Sequence, residues 1–553
     1  MGGTRKPEKL KIVLIDGYLD EPSCLGVPPY LSPHVRYAYG ALLDLGIPAS
    51  SITFATIDQW RQRREQYLEA ARSADAVVVI AGATVPGRYL GGRPISSREI
   101  SELGSAVEPV PLVLGGPITL CQEAVPGAAI TCGEVASISL QEIFGGRAAP
   151  ASNAPQAWAE RIARFAVLGA ELTTRHPSFP YVVCELETYR GCPRGENCAF
   201  CSEGKKQVRY QRAVGDVVAE VEALARLGNR YYRLGCQSDL FLYGAAVRDG
   251  QLYPQPAVLK DLYQGIREAA PDLQVLHMDN ANPASIMRDP KLAAEVMEII
   301  CWYNTPGDVA AFGLESADPA VLAANRVETT PEETLAAVRL MNEIGGRREQ
   351  GIPKLLPGIN FLHGLQGERT ETLKINFQYL QRLMDEGLMV RRINIRQVLP
   401  LGGYQPVRIN PHRFQAYKDR VNEEINKPML SRVFPKGTLL RGVHVEEVKG
   451  QVSFGRQLGS YPILVGIPGE MPVGTILDVG IIDHGYRSVT GLPVPFYINR
   501  AGVAQLAAIP GMGRKRATRV FLAQPIQDVH QLEQALESQV DLAPVLPWLD
   551  FSV

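Results

Sequence analysis

Cys192, Cys198 and Cys201 fall within ten residues in the stretch ETYRGCPRGENCAFCSEG, Glu187 to Gly204. Thiolates bind metals and carry redox chemistry, so three of them in a loop rich in Gly and Pro admit three readings. A disulfide knot suits a small secreted domain. This chain has 553 residues, enough to bury cores without staples, and an odd number of cysteines, nine. A structural zinc takes four ligands, usually as two close pairs. Cys198 and Cys201 make one pair and Cys192 is a third ligand, while Cys184, which could complete the set, sits in a strand-like run. An iron–sulfur cluster explains more: closely spaced thiolates hold it, and three of them leave one iron open to a small molecule that can receive an electron.

The elements that must position this loop are legible as alternations. Over residues 8–150, short apolar runs (KIVLIDG, SITFATID, AVVVIAG, PLVLGG, AAITCG) alternate with amphipathic stretches, which predicts a doubly wound α/β domain. GRAAPASNAPQA, residues 146–157, reads as a linker. Residues 178–428 repeat the alternation with six strand-like runs, from YVVCELETYRG to RRINIRQVLP, which predicts a partial (β/α)6 TIM-like barrel with its chemistry in the loops after the strands. The cysteine loop follows the first of those strands. Residues 430–492 change to short strands with Gly and Pro turns, a small β-barrel. Residues 497–553 read as a helical module.

The cysteine loop resembles that of radical S-adenosylmethionine (SAM) enzymes. In that superfamily three cysteines hold a [4Fe-4S] cluster and the methionyl end of SAM chelates the fourth iron; reductive cleavage gives a 5′-deoxyadenosyl radical. The usual spacing is C-x3-C-x2-C, whereas this chain has C-x5-C-x2-C. The resemblance extends to Phe200, the aromatic residue before the last cysteine, and to LGCQSD, DNAN, FGLES, GINFLHGLQGERTETLKINFQYL and INIRQVLPLGGY in order. By strand order it implies SAM contacts from Phe200, Gly235, Gln237, Asn282, Glu315, Ser316, Asn360 and Arg396. The whole chain is also similar to a family of radical SAM proteins that end in a helix-hairpin-helix.

The first domain, with VLGGP and CGEVAS, resembles the cobalamin-binding-like domain fused to many radical SAM enzymes. A cobalt-ligating D-x-H-x-x-G string is absent from the sequence, so cobalamin is not expected. Cys24, Cys121 and Cys132 fall near strand ends there. They are either small buried residues or the ligands of a second, auxiliary iron–sulfur cluster, as in the distantly similar methylthiotransferases. VPGRYLGGRP could approach a phosphate through Arg88 or Arg93, or be a plain loop. Cys184 and Cys301 read as core. Cys236 lies in a loop expected to face SAM.

The small barrel resembles a TRAM domain, carried by VEEVKG, GRQLGSYPILVG and GTILDVGIIDHGYRSVTG, and implies strand binding through Arg456, Tyr461, His484, Tyr486 and Arg487. LAAIPGMGRKRATRVFLA reads as a helix-hairpin-helix. Gly511 and Gly513 permit the tight turn, and Arg514, Lys515, Arg516 and Arg519 follow at a helix start that can hold phosphate.

A net charge of −1 means any polyanion must bind at such a local patch. The start lacks a signal-peptide pattern and no apolar run reaches the length of a membrane span, so a cytoplasmic protein with no membrane partner is expected. The expected function is radical SAM modification of a nucleic acid, RNA before DNA and tRNA foremost, by methylthiolation, sulfur insertion or related C–H chemistry. It would draw electrons from a reductant such as flavodoxin or ferredoxin. Alternatives are a cobalamin-assisted radical methylase of a small molecule or peptide, and a nucleic-acid-binding protein with a structural or redox-sensing cluster.

Overall fold

A computed structural model describes residues 6–20, 24–82, 90–120, 125–206, 208–536 and 540–552. The first sheet has five parallel strands: β1 (Ile12–Asp16), β3 (Ile52–Thr56), β4 (Ala76–Ile80), β5 (Leu112–Gly115) and β6 (Ile130–Thr131). Their spatial order is β3-β1-β4-β5-β6, the flavodoxin-like doubly wound order. β1 and β4 are buried at every position because helices cover both faces, which is why they read as unbroken apolar runs. The short strand β2 (Tyr30–Leu31) leaves this domain and pairs with the second sheet. Ser32 Oγ accepts the His34 amide at 3.0 Å and Pro33 opens the helix Pro33–Asp44, a strong start signal.

The second sheet is the expected arc of six parallel strands: β7 (Val183–Glu187), β8 (Tyr231–Gly235), β9 (Val275–Met278), β10 (Asp308–Glu315), β11 (Leu355–His363) and β12 (Arg392–Gln397). β9 breaks at Asp279, and Asn280–Ala281 resumes the pairing with β10. Inside the arc Arg233 meets Glu185 and Asp279 in buried ion pairs. β2 lies against β7 at one edge; β12 ends the other. The expected linker is irregular only to residue 154. Pro155 starts a helix to Gly169, which lies so close to the helix Pro33–Asp44 that a Cβ on Gly40 would come within 2.0 Å of Phe165 O.

The small barrel is a closed sheet of β13 (Leu439–Lys449), β14 (Val452–Gln457), β15 (Leu464–Pro468), β16 (Ile476–His484) and β17 (Ser488–Val494). It begins later than the sequence suggests, because Lys427–Val433 is helical and Leu430, Val433 and Phe434 pack into the barrel core. Its loop Leu458–Tyr461 fills the space between the two ends of the open arc. Tyr30 Oη of β2 donates to Gly459 O at 2.5 Å, Ser460 N donates to His277 Nδ1 at 2.8 Å, and Arg391 beside β12 donates to Tyr461 O at 3.0 Å. A Cβ on Gly459 would meet the His277 ring at 2.8 Å, so the loop must thin to bare backbone there. The C-terminal helices Val503–Ala507, Gly513–Leu522 and Val529–Leu536 share a core with Ile482, Leu492 and Trp548 and are clamped on the small barrel. Among the described residues no helix is long and apolar enough to cross a membrane.

The first domain is locked to the arc by charge. Glu220 meets Arg36 at 2.5 Å and Arg212 at 2.5 Å, all with fully buried side chains, and Arg36 also donates to Glu185 O. Glu220→Ala leaves two buried guanidinium groups without a counter-charge. We expect it to cost about 3–5 kcal/mol, read from chemical denaturation; a loss below ~1 kcal/mol would show the pair to be dispensable.

Candidate active site

Gly191 carries the chain away from the strand-like hairpin that follows β7 and into the cysteine loop, which is pinned from the far side of the arc. Ala199 N donates to Asn325 O at 2.9 Å, and Tyr404 Oη donates to Asn325 Oδ1 at 2.6 Å. The Phe200 ring stands edge-on to Tyr404, 6.2 Å between centroids, and packs with Val321 and Leu365. The loop is thereby held by residues from the segments after β10, β11 and β12, remote in sequence.

Cys192, Cys198 and Cys201 all line one cavity of about 270 Å³ at the carboxyl ends of the arc strands. Asp20, Leu25, Pro117 and Leu120 of the first domain line it as well, so the carboxyl ends of both sheets face the same space. That is where open sheets and barrels place ligands. Arg194 donates to Cys198 Sγ at 2.9 Å and pairs with Glu328 at 3.5 Å; Glu328 also holds Arg288 at 2.8 Å and accepts from Asn282 at 3.2 Å. Burial raises the thiol pKa of Cys198, opposed by Arg194, and raises that of Cys201. Loading a metal onto them would therefore release protons. Among the described residues no three His, Cys, Asp or Glu side chains are placed to hold a single metal ion. Three free thiols on one cavity wall, with the Arg194 cation beside Cys198 to hold thiolate charge, are a donor set of the kind that holds an iron–sulfur cluster.

Of the eight residues expected to meet SAM, Phe200, Asn282, Glu315, Asn360 and Arg396 line the cavity. Gly235, Gln237 and Ser316 do not. Gly235 packs against the Glu185 carboxylate, Gln237 donates to Leu234 O at 2.8 Å, and Ser316 donates to Asn376 Oδ1 at 3.2 Å. Strand order locates the end of a strand but not which side chain turns inward. Pattern reading missed Asp239 and Asn394. Asp239 is pushed up to about 7 by burial, against the pull of its Ser285 hydrogen bond. Asn394 donates to Asn360 Oδ1 at 3.3 Å, and its place on the inner face of β12, two residues from Arg396, was the available signal.

Tyr461 is a correction. Expected on an outer nucleic-acid face, it lines the cavity and donates to Asp279 Oδ1 at 2.9 Å. His484 is likewise buried, its Nε2 2.6 Å from Phe434 O, and Arg456 is spent on Glu446. Tyr486 and Arg487 stay exposed. In the first domain Cys24 and Cys132 are buried in the apolar core, with Cys24 beside Cys236. Cys121 and Arg88 lie outside the described residues; Arg93 pairs with Glu99 at 3.2 Å. Cys184 and Cys301 are core residues, as expected. At the switch point between β1 and β4, a Cβ on Gly17 would meet Ile95 at 2.6 Å and one on Gly82 would meet Leu19 at 3.0 Å.

Glu315 sits at a bulge of β10 with φ +66, and its Oε2 is buried with no hydrogen-bond partner among the described residues. Burial lifts it to about 8. Between the unfolded carboxylate value near ~4.3 and 8 the folded chain therefore keeps a proton that the unfolded chain has lost, and stability falls as pH rises. In metal-free protein Glu315→Gln should remove this slope and stabilise at pH 8 by about 1–3 kcal/mol, and by little at pH 5. Equal effects at both pH values, read from thermal unfolding, would contradict it.

No family model matches the chain. It is 40% identical over 538 residues to an uncharacterized protein of Archaeoglobus fulgidus, covering 95% of this chain and 97% of that one. It is 38% identical over 515 residues to an uncharacterized protein of Methanocaldococcus jannaschii, covering 87% and 93%. Among solved structures it is similar to the radical SAM methyltransferase TsrM from Kitasatospora setae (18% identity, 80% of this chain and 79% of that one, TM-score 0.46). It is also similar to the cobalamin-dependent SAM radical enzyme OxsB (14% identity, 77% and 57%, TM-score 0.48). Cobalamin is bound to TsrM and to OxsB in structures of those two proteins. The chain belongs to the family of the Archaeoglobus fulgidus and Methanocaldococcus jannaschii proteins.

Proposed function

We propose that this protein is a radical SAM enzyme that modifies a nucleic acid, RNA before DNA and tRNA foremost. The observation that carries the first half is the convergence of Cys192, Cys198 and Cys201 from one loop onto the wall of one cavity at the strands' carboxyl ends. A [4Fe-4S] cluster on these thiolates would supply the one electron, drawn from a flavodoxin- or ferredoxin-type reductant, that breaks the S–C5′ bond of SAM into methionine and a 5′-deoxyadenosyl radical able to take hydrogen from an unactivated carbon. Arg194 holds the thiolate charge on Cys198, and Phe200 fixes the loop against Tyr404 while lining the cavity. Asn282, Asn360 and Asn394 offer neutral hydrogen bonds along the wall, and Glu315 a buried carboxyl. The first domain closes the cavity through Leu25 and Pro117, which keeps water from a reactive intermediate.

The second half rests on the C-terminal module. Gly511 (φ +77) and Gly513 (φ +61) make the turn before the helix Gly513–Leu522, and Arg516 donates back to Gly511 O at 2.8 Å and braces it. Arg514 and Lys515 are exposed in the first turn of that helix, where the dipole favours anions. Arg519 is exposed on the same helix and reaches Leu536 O at 3.4 Å. This is a phosphate-binding arrangement that does not read sequence. The helix-hairpin-helix and TRAM likenesses, a cytoplasmic location and sulfur chemistry at the modified carbon belong to the same proposal.

Metal analysis of anaerobically purified protein tests the first half. Changing Cys192, Cys198 and Cys201 to Ala should remove about four irons and abolish release of 5′-deoxyadenosine on reduction with SAM; zinc without iron in the parent protein would overturn it. For the second half, Arg514→Gln with Lys515→Gln should weaken tRNA binding uniformly and lower the salt slope by about two. An unchanged slope would remove the module from the proposal.

A further inference from the structure

The inner face of β12 carries Arg392, Asn394 and Arg396 at alternate positions, with Ile393 and Ile395 buried on its other face. Arg396 lines the cavity; Arg392 lies below it with its guanidinium 4.3 Å from the Tyr461 ring centre. From the small barrel, β17 pairs with β15 at Ser488 and Leu464, so the turn between β16 and β17 sets Arg487 beside the segment that leaves Tyr461. Burial and the like charges of Arg396 and Arg487 act together on Arg392. Among the described residues none of these three makes an ion pair with a carboxylate. Asp279 Oδ1 is taken by Tyr461 and Arg233. Arg233, 5.4 Å from the Tyr461 ring centre, and Arg391, which donates to Tyr461 O, bring two further guanidinium groups to the same tyrosine. Burial lowers the pKa of Arg391 to about 10 and lowers that of Arg392. Guanidinium groups desolvated beside like charges are unfavourable unless an anion joins them, and Arg is the side chain that grips phosphate with two parallel hydrogen bonds.

The place matters as much as the charge. Arg396 is at the cavity wall and Arg487 is exposed on the outside, so the cluster runs from solvent to the reaction space through the seam between β12 and the small barrel. Tyr486, next to Arg487, is 48% exposed and offers a ring for stacking beside the seam.

We infer that Arg392, Arg396 and Arg487 form an anion subsite at the side of the cavity, which holds a phosphate of the polynucleotide strand whose nucleotide enters there. This rests on the reading that the substrate is a nucleic acid. It adds that the strand arrives laterally, over the seam, and that the small barrel takes part through the β16–β17 turn rather than through Tyr461, Arg456 or His484.

The test is equilibrium binding to anaerobically reconstituted holoprotein. The probes are a short unstructured ribo-oligonucleotide, the same oligomer with a neutral methylphosphonate backbone, inorganic phosphate, and SAM in parallel. Arg487 is exposed, so Arg487→Gln folds; Arg396→Gln is the second variant. Arg487→Gln should weaken binding of the charged oligomer about tenfold and lower its salt slope by about one, while SAM affinity stays unchanged and the neutral oligomer binds poorly throughout. Four results overturn the inference. If both variants bind the oligomer like the parent while Arg514→Gln with Lys515→Gln does not, the subsite is wrong and the nucleic-acid reading stands. If Arg396→Gln loses SAM instead, the cluster serves the SAM carboxylate. If inorganic phosphate binds the cluster and the oligomer does not compete, it serves a small phosphorylated metabolite. If the parent binds no oligomer at all, this inference and the nucleic-acid reading fall together.

Discussion

The Arg233 guanidinium, buried inside the arc of strands, is the interaction on which the assembly depends. It pairs with Glu185 of β7 and with Asp279 at the break of β9, and its Nε donates to Ser460 Oγ at 2.9 Å. Glu185 in turn accepts the Leu25 amide of the first domain at 2.9 Å, and Asp279 accepts from Tyr461. One network of charge thus joins all three bodies around the cavity. Burial pushes Glu185 up to about 7 and Asp279 to about 6, against the opposing pull of Arg233. Taking such groups out of water is costly, and removing one partner is costlier still because it strands the other. Apolar residues could fill the same volume, but they would not fix where Ser460, Tyr461 and Leu25 sit.

That network explains how an open arc encloses a reaction space. A full barrel pairs its last strand with its first; here, among the described residues, β12 pairs only with β11, and β2 and the Leu458–Tyr461 loop occupy the gap. The first domain closes the opposite side by turning the carboxyl ends of its own sheet to the cavity. The cysteine loop is then held from outside itself, through Asn325, Tyr404 and Leu365. Cys236 (φ +62) and Glu315 (φ +66) hold strained backbone at the ends of β8 and β10. Strain of this kind persists where packing on all sides over-determines it, as at a site built for preorganisation.

The two C-terminal units are bound to the rest in different ways. The small barrel turns Tyr461 and Ser460 inward, leaving Tyr486 and Arg487 toward solvent. The helical module touches that barrel through Trp548, whose ring lies where a Cβ on Gly480 would be, and keeps Arg514 and Lys515 exposed. With a net charge of −1 on the whole chain, any attraction for a polyanion has to come from such local basic patches.

Local pattern determined a great deal. Apolar runs five residues long gave the parallel strands, because a strand covered on both faces has no polar side to show. Cysteine spacing identified the loop, and Gly-Met-Gly before a basic run marked the turn into the helix Gly513–Leu522, because those features are written over neighbouring residues. What only the tertiary structure decided are the relations between distant segments: Tyr461 in the cavity rather than on a surface, Gln237 and Ser316 turned into the core, and Asp239 and Asn394 brought to the wall. The alternation of a strand says which residues share a face but not which face looks inward. A small barrel's sequence does not say that one of its loops will close another domain. Both are settled only when distant groups meet: Tyr30 and Gly459 are 429 residues apart in sequence, Arg233 and Ser460 227, and Leu25 and Glu185 160.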